Sequence, residues 1–172
     1  MADITTLGMP TALEERMFSQ IGTLTADNIN KTPFNGSTNG TTILIAAAQA
    51  GMGGAVDTLL QKSGVDVNVK NDNGLTPLIA ASMKGHLDIV EQLLAKGADI
   101  SLTIKPYDNT ALDKAIVGME ENKKNAEKLE SYHNIAFALV RAKNTQNPDG
   151  GKRKRTLKKK PKRKSMRSSF HK

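Results

Sequence analysis

The strongest constraint on this chain is an internal repeat with a period of about 34 residues. Segments 39–68 and 73–100 match along most of their length, with one extra residue near Ser63 in the first. A period of this size is typical of small units that cannot bury an apolar face alone and therefore stack into a shared core. The pairs that match at an offset of 34 are Gly40 and Gly74, Thr42 and Thr76, Leu44 and Leu78, Ala47 and Ala81, Gly51 and Gly85, and Leu59 and Leu93.

The residues of each unit predict a turn followed by two short helices. In the second unit Asn73-Gly74 is a turn dipeptide, Thr76 suits the cap of a helix and Pro77 suits its first position. Gly85 is placed to end this helix, because glycine readily takes the left-handed conformation found there. Apolar residues at helical spacing then predict a second helix that ends near Gly97: Leu87, Val90, Leu93 and Leu94.

The second unit, "GLTPLIAASMKGHLDIVEQLLAKGADI", resembles an ankyrin repeat. It carries in order the family's Gly-x-Thr-Pro-Leu, Gly-His and Leu-Leu-x-x-Gly-Ala-Asp elements. The resemblance covers residues 36–118 clearly and 11–143 loosely. It implies an all-α fold, an α-solenoid in which helix-turn-helix units are joined by β-turn fingers.

Several positions depart from the ankyrin pattern. Ile79 stands where the family usually has His, which removes a side-chain link to the neighbouring Thr. In the first unit Ile43 replaces the Pro and Met52 replaces the His. Gly53 and Gly54 weaken the start of the second helix of this unit by about 1 kcal/mol each. We expect these departures to change the stability of the repeats more than their ankyrin-type fold.

A third, divergent unit follows, in which Thr110, Leu112 and Ala115 keep the register of the repeat. The step from Thr110 to Leu139 is 29 residues, whereas the equivalent step in the second unit is 17. We expect the extra residues to lengthen both helices by nearly two turns each. Residues 126–143 then form a long final helix whose polar outer face suits a terminal cap.

The chain divides into three predicted parts. Residues 1–35 form an N-terminal capping helix and loop, residues 36–143 form the repeats with their long-helix cap, and residues 144–172 form a disordered basic tail. The N-terminal helix is predicted near residues 11–25 from an apolar stripe: Leu13, Met17, Ile21 and Leu24.

Positive charge is concentrated in the last part of the chain. The whole sequence has 25 Lys and Arg against 17 Asp and Glu, a formal charge of +8. Twelve of these cations lie in residues 152–172, which hold no acid, so residues 1–151 have 13 cations, 17 acids and a charge of −4. This segregation predicts a mildly acidic globule with an extended basic arm.

The basic arm resembles a nuclear localisation signal of the monopartite type. An extended chain can place Lys and Arg against the acidic pockets of a nuclear import receptor, and Pro161 disfavours a helix. The residues assigned to this signal are Lys152, Arg153, Lys154, Arg155, Lys158, Lys159, Lys160, Lys162, Arg163 and Lys164.

Two other roles of the arm stay open. Twelve cations could hold DNA or RNA without sequence preference, although the single aromatic residue Phe170 argues against a dedicated single-strand binder. Adhesion to an anionic membrane is less favoured, because the sequence offers neither an adjacent amphipathic helix nor a lipidation cysteine. No apolar run approaches the roughly 20 residues of a membrane span, and we expect a cytosolic or nuclear protein.

Residues suited to catalysis or metal binding are scarce. The absence of Cys excludes disulfides, thiolate metal sites and a Cys nucleophile. The three histidines, His86, His133 and His171, have no metal-like spacing, and His86 is expected to make structural hydrogen bonds. The cluster "AGMGGAV" lacks the strand and the Gly-Lys of a phosphate loop. We therefore expect no enzymatic activity, no cofactor and no metal.

The ankyrin resemblance implies a protein partner that touches the fingertips and the concave face of the first helices. Apolar or aromatic side chains on such a rim are the better anchors, so Leu75, Met83 and Tyr107 are singled out, with stack packing as the alternative role for each. The candidate positions are Thr38, Asn39, Thr41, Gln49, Ala50, Asp72, Asn73, Leu75, Met83, Lys84, Pro106, Tyr107, Asn109 and Val117.

These observations predict a non-catalytic adaptor or regulator that binds a protein partner and is directed to the nucleus by its tail. The expected partners are that protein and a nuclear import receptor, with the chain itself a monomer. One alternative is a nucleic-acid-associated protein, and another is a bacterial-type ankyrin effector that acts in a host cell. Self-association through the long final helices is a further possibility.

Overall fold

The computed structural model describes residues 12–146 and is all-helical over that range, as the α-solenoid prediction required. Within it no strand forms, and only isolated bridges join Pro33 to Thr42 and Ile104 to Asn109. The seven α-helices of this range are α1 (Ala12–Thr23), α2 (Ile43–Ala50), α3 (Gly53–Leu60), α4 (Pro77–Lys84), α5 (Leu87–Ala95), α6 (Ala111–Glu121) and α7 (Ala126–Gln146), with a 3-10 turn at Phe34–Gly36.

The helices form two layers. The inner helices α2, α4 and α6 pack side by side, and the outer helices α3, α5 and α7 pack behind them in the same order. Helix α1 covers α2 and α3 with Met17 and Ile21, so the predicted N-terminal capping helix is present. The core between the layers is continuous, and its largest fully buried side chains include Ile43, Ile45, Leu59, Leu78, Ile79, Ile89, Leu93 and Ile135.

Single residues begin and end the inner helix α4 as the sequence predicted. The Thr76 hydroxyl accepts a hydrogen bond from the Ile79 N–H at 3.2 Å, and Pro77 occupies the first turn. Gly85 follows the helix at φ 82°, the left-handed conformation that favours glycine. Both ends of α4 are therefore fixed by interactions between residues close in sequence.

The twelve extra residues of the third repeat are divided unequally. Three of them lengthen α6, which has 11 residues against 8 in α4, and two lengthen the connection that follows. The other seven lie in α7 ahead of Leu139; this helix has 21 residues against 9 in α5 and gains its remaining length after Leu139. The expectation of equal lengthening is therefore wrong. Two asparagines set the division: the Asn122 N–H donates to the Gly118 carbonyl at the end of α6, and the Asn125 side chain accepts from the Lys128 N–H at the start of α7.

The end of the described chain lies on α7. This helix continues to Gln146, beyond the predicted start of the tail at residue 144. The Gln146 side chain donates to the Ala98 carbonyl at 3.0 Å, which holds the last turn against the loop after α5. The remainder of the predicted basic tail, including every residue assigned to the import signal, lies outside the described residues.

Candidate protein-binding surface

The fingertips that connect the repeats form one hydrogen-bonded row. The Asp72 N–H donates to the Asn39 carbonyl at 3.1 Å, and the Lys105 N–H donates to the Asn73 carbonyl at 3.0 Å. Thr38, Asn39, Asp72, Asn73 and Pro106 are exposed along this row. Because neighbouring fingers are bonded to each other, their tips are presented at fixed spacing.

The third finger presents the most exposed of the described aromatic side chains. Ile104 and Asn109 exchange two backbone hydrogen bonds of 3.0 and 3.2 Å, which close the finger at its base. The Asp108 carboxylate accepts from the Thr103 hydroxyl at 3.4 Å and adds a second tie across the finger. At the tip Tyr107 is 82% exposed. An aromatic side chain held on a closed finger loses little conformational entropy on binding.

Leu75 does not belong to this surface, and the prediction that it is exposed on the rim is wrong. Its side chain is only 8% exposed and belongs to the hydrophobic core. The Asn71 carboxamide oxygen accepts from the N–H groups of Asn73 and Leu75, at 3.1 and 2.9 Å, and closes the second finger tightly. The same amide donates to the Thr41 hydroxyl at 3.2 Å, and the Thr41 side chain is only half exposed on the row.

The inner helices add a row of side chains beside the fingertips. Gln49, Met83 and Val117 occupy equivalent positions on α2, α4 and α6, one repeat apart. Gln49 is exposed, Met83 is half-buried and Val117 is 47% exposed. The next positions along α2 and α4, Ala50 and Lys84, are also exposed. We call these five positions the inner face. At its three equivalent positions the side chain is polar on α2 and apolar on α4 and α6.

A family model described as "Ankyrin repeats (3 copies)" matches residues 19–104 and 44–135 of the chain. This chain belongs to the ankyrin repeat family. The matched residues include both clear repeats and most of the divergent third one. Ankyrin repeats are generally non-catalytic protein-interaction modules, and the chain is such a module.

Similar ankyrin proteins match over part of the chain only. Ankyrin repeat domain-containing protein 49 of Homo sapiens is 40% identical over 58 residues, which are 34% of this chain and 24% of that protein. Ankyrin repeat domain-containing protein 29 of Danio rerio is 43% identical over 56 residues, or 33% and 19%. Alpha-latrocrustotoxin-Lt1a of Latrodectus tredecimguttatus is 38% identical over 69 residues, or 38% and 5%. The chain therefore spans less than a quarter of the length of each of these relatives.

The two histidines within the described residues make contacts inside the fold. The backbone of His86 donates to Ala81 and accepts from Val90, each at 3.1 Å, while its ring packs against Gly51. His133 bonds the Leu129 carbonyl one turn earlier in α7. Among residues 12–146 no three His, Asp or Glu side chains converge to hold a metal ion. No helix in that range combines the length and apolar character needed to cross a membrane.

One exposed apolar residue of the inner layer escaped the sequence analysis. Ile116 is 45% exposed on α6, although the equivalent residues Ala48 and Ser82 are completely buried by the next inner helix. Within the described residues no helix covers α6 in the same way. The signal was available in the sequence, since a large aliphatic side chain stands where the two earlier repeats have Ala and Ser.

Proposed function

We propose that this ankyrin domain is an adaptor or regulator that captures one protein partner on its fingertips and inner face. The observation that carries the proposal is Tyr107, which is 82% exposed at the tip of a finger closed by two backbone hydrogen bonds. Met83 and Val117 supply apolar area on the adjacent inner face. Aromatic anchors of this kind supply a large share of the binding energy in protein interfaces.

Affinity capture followed by mass spectrometry tests this proposal. The full chain serves as bait beside a Tyr107→Ala variant and a Phe18→Ala control, since Phe18 is 46% exposed on the distant helix α1. Loss of the anchor should weaken capture of the partner about 30-fold, whereas the control should retain it. If both variants capture the same proteins as the native chain, the fingertips are not the binding surface.

We propose further that an import receptor reads the basic tail and moves the protein from the cytoplasm into the nucleus. The support is the sequence of the tail, with twelve cations and no acid in residues 152–172. A fluorescent fusion with Lys158, Lys159 and Lys160 changed to Ala should stay in the cytoplasm. Undiminished nuclear accumulation of that variant would contradict the import role.

A second candidate function is contact between the tail and nucleic acid, which the same charge density favours. Each phosphate contact releases counterions, so binding should fall steeply as salt rises and should not depend on base sequence. Mobility-shift titrations at several salt concentrations can compare the native chain with a variant in which those three lysines are Gln. Equal affinity and equal salt dependence of the two proteins would exclude this role.

A further inference from the structure

The outer layer carries an open groove between α5 and α7, on the side of the molecule away from the inner face. The groove encloses about 750 Å³. The half-buried Leu87 and Leu94 line its α5 side, and the small residues Ala138 and Ala142 line its α7 side. Both walls of the groove thus offer apolar side chains, with the polar Asn134 and Thr145 also on its α7 side, and the groove is large enough to accept a large side chain.

A large aromatic side chain stands on the rim of the same groove. Phe137 is 71% exposed and lies near the middle of α7, which runs over Ala126–Gln146. The buried stripe of this helix consists of Tyr132, Ile135 and Leu139, which face the core. Phe137 faces away from that stripe and is not part of the buried core.

The rim also carries two charges of opposite sign. Glu91 lies on the α5 wall and Arg141 lies on the α7 wall, one turn beyond Phe137. Both side chains are exposed, and neither takes part in an ion pair within the described part of the chain, where Lys123 and Glu120 form one. An occupant of the groove can therefore pair with both charges.

Phe137, the groove and both charges lie on one surface of the molecule. A surface that carries both a protruding side chain and the groove to receive it can bind a second copy of itself across a two-fold axis. A complementary occupant supplies a large apolar side chain and charges of both signs on one surface, and Phe137, Arg141 and Glu91 of a second copy supply all three. We propose that this surface joins two copies of the chain. Phe137 of each copy enters the α5–α7 groove of the other, and Arg141 of each pairs with the other copy's Glu91. The pairing departs from the monomer expected from the sequence and does not depend on the proposed partner of the fingertips.

Sedimentation equilibrium of the full chain tests the pairing. Measurements run from micromolar to near-millimolar protein, after nuclease treatment, so that nucleic acid on the basic tail cannot bridge two copies. The native chain should show a reversible monomer–dimer equilibrium, and Phe137→Ala should weaken it at least about tenfold. Phe18→Ala is the matched control, because it removes an exposed phenylalanine from helix α1, outside both proposed surfaces, and should leave the equilibrium unchanged.

A charge exchange identifies the contact more sharply. Glu91→Arg and Arg141→Glu should each weaken the dimer, because each places like charges across the interface. The two changes together restore opposite charges and should recover most of the lost affinity. Circular dichroism should show all variants folded, since the three side chains are exposed. A native chain that stays monomeric throughout, a dimer indifferent to Phe137→Ala, or a double variant no better than the singles would each overturn the proposal.

Discussion

At the scale of single residues, Tyr132 takes the place of a histidine. In the second repeat the His86 ring packs against Gly51, the glycine that ends the preceding inner helix. The third repeat lacks a Gly-His element, and the Tyr132 ring packs instead against Gly85, the glycine that ends α4. The Tyr132 hydroxyl donates to the Met83 carbonyl at 3.1 Å. Tyr132 thus adds a contact between the long final helix and α4, beside the packing of α7 against α5 and α6.

The Tyr132 ring explains a glycine inside helix α6. A Cβ on Gly118 would overlap this ring, whereas a Cβ on Gly54 in α3 would meet nothing within 4 Å. Gly118→Ala should therefore destabilise the protein by about 1–3 kcal/mol through overpacking. Gly54→Ala should stabilise it by up to about 1 kcal/mol through helix propensity. Urea unfolding of both variants measures the difference, and effects of the same sign would contradict the role assigned to Tyr132.

Tyr132 also predicts how stability depends on pH. Burial, and to a smaller extent the charge of Glu121, raise the pKa of the Tyr132 hydroxyl above its ordinary value. The folded pKa then exceeds the unfolded pKa, so this contribution is complete below about pH 10 and is lost as pH rises through the folded pKa.

The Tyr132→Phe variant isolates that contribution. It should cost about 0.5–1.5 kcal/mol near neutral pH, because the hydrogen bond to Met83 is lost. Its disadvantage should then shrink in alkaline solution, where the native Tyr132 ionises on unfolding. Urea titrations of both proteins between neutral pH and about pH 11 provide the comparison. A constant difference across this range would show that ionisation of Tyr132 is not linked to folding.

At the scale of secondary structure elements, equivalent threonines begin α2 and α4 in different ways. Thr76 bonds the Ile79 N–H and has Pro77 in the first turn, whereas the buried hydroxyl of Thr42 has no hydrogen-bond partner and Ile43 stands in place of the proline. The pattern of the sequence predicted the cap at Thr76. It could not predict the orphaned hydroxyl at Thr42, because both residues occupy the same place in the repeat and only their local geometry differs.

A pair of identical substitutions separates these two helix starts. Thr42 and Thr76 are both almost fully buried, and valine matches the shape of threonine. Thr76→Val should destabilise the protein by about 1 kcal/mol, because it removes a cap. Thr42→Val should be neutral or stabilising, because it removes a buried hydroxyl without a partner. Thermal unfolding ranks the two variants, and an equal loss in both would mean that Thr42 also caps its helix in solution.

The third repeat marks the limit of sequence reasoning about elements. Register at Thr110, Leu112 and Ala115 located the unit, and the apolar stripe located α7. The number of extra residues in each helix depended on where α6 ends and α7 begins, which Asn122 and Asn125 determine. Their side chains cap helices here, but asparagine is equally common in turns. The Thr110–Asp113 capping box was visible as a Thr-x-x-Asp spacing and was missed.

At the scale of the whole molecule, the repeat period predicted the solenoid. Which candidate side chains are exposed on its surface could be seen only in the structure. Tyr107 and Leu75 were equivalent candidates in the sequence, yet one is exposed on a fingertip and the other is buried beneath one. The difference arises from their places in the repeat: Tyr107 is equivalent to the exposed fingertip residue Asn73, whereas Leu75 directly precedes Thr76, the cap of α4, and its side chain joins the core. The groove beside Phe137 was equally hidden, since it requires two helices that are 39 residues apart at their starts.

The continuous core predicts that the repeats unfold together. The buried cluster extends from Met17 on α1 to Leu139 on α7 without a break, so no repeat has a core of its own. The chain has no Trp and two Tyr, and a Tyr107→Phe background leaves Tyr132 as the one strong fluorophore, placed where α7 joins α4. Urea transitions followed by Tyr132 fluorescence and by circular dichroism should then coincide, as a two-state process requires. An earlier fluorescence transition would instead mean that α7 detaches while the other repeats stay folded, and that its packing against α5 and α6, with the Tyr132 hydrogen bond, is too weak to couple the final helix to the stack.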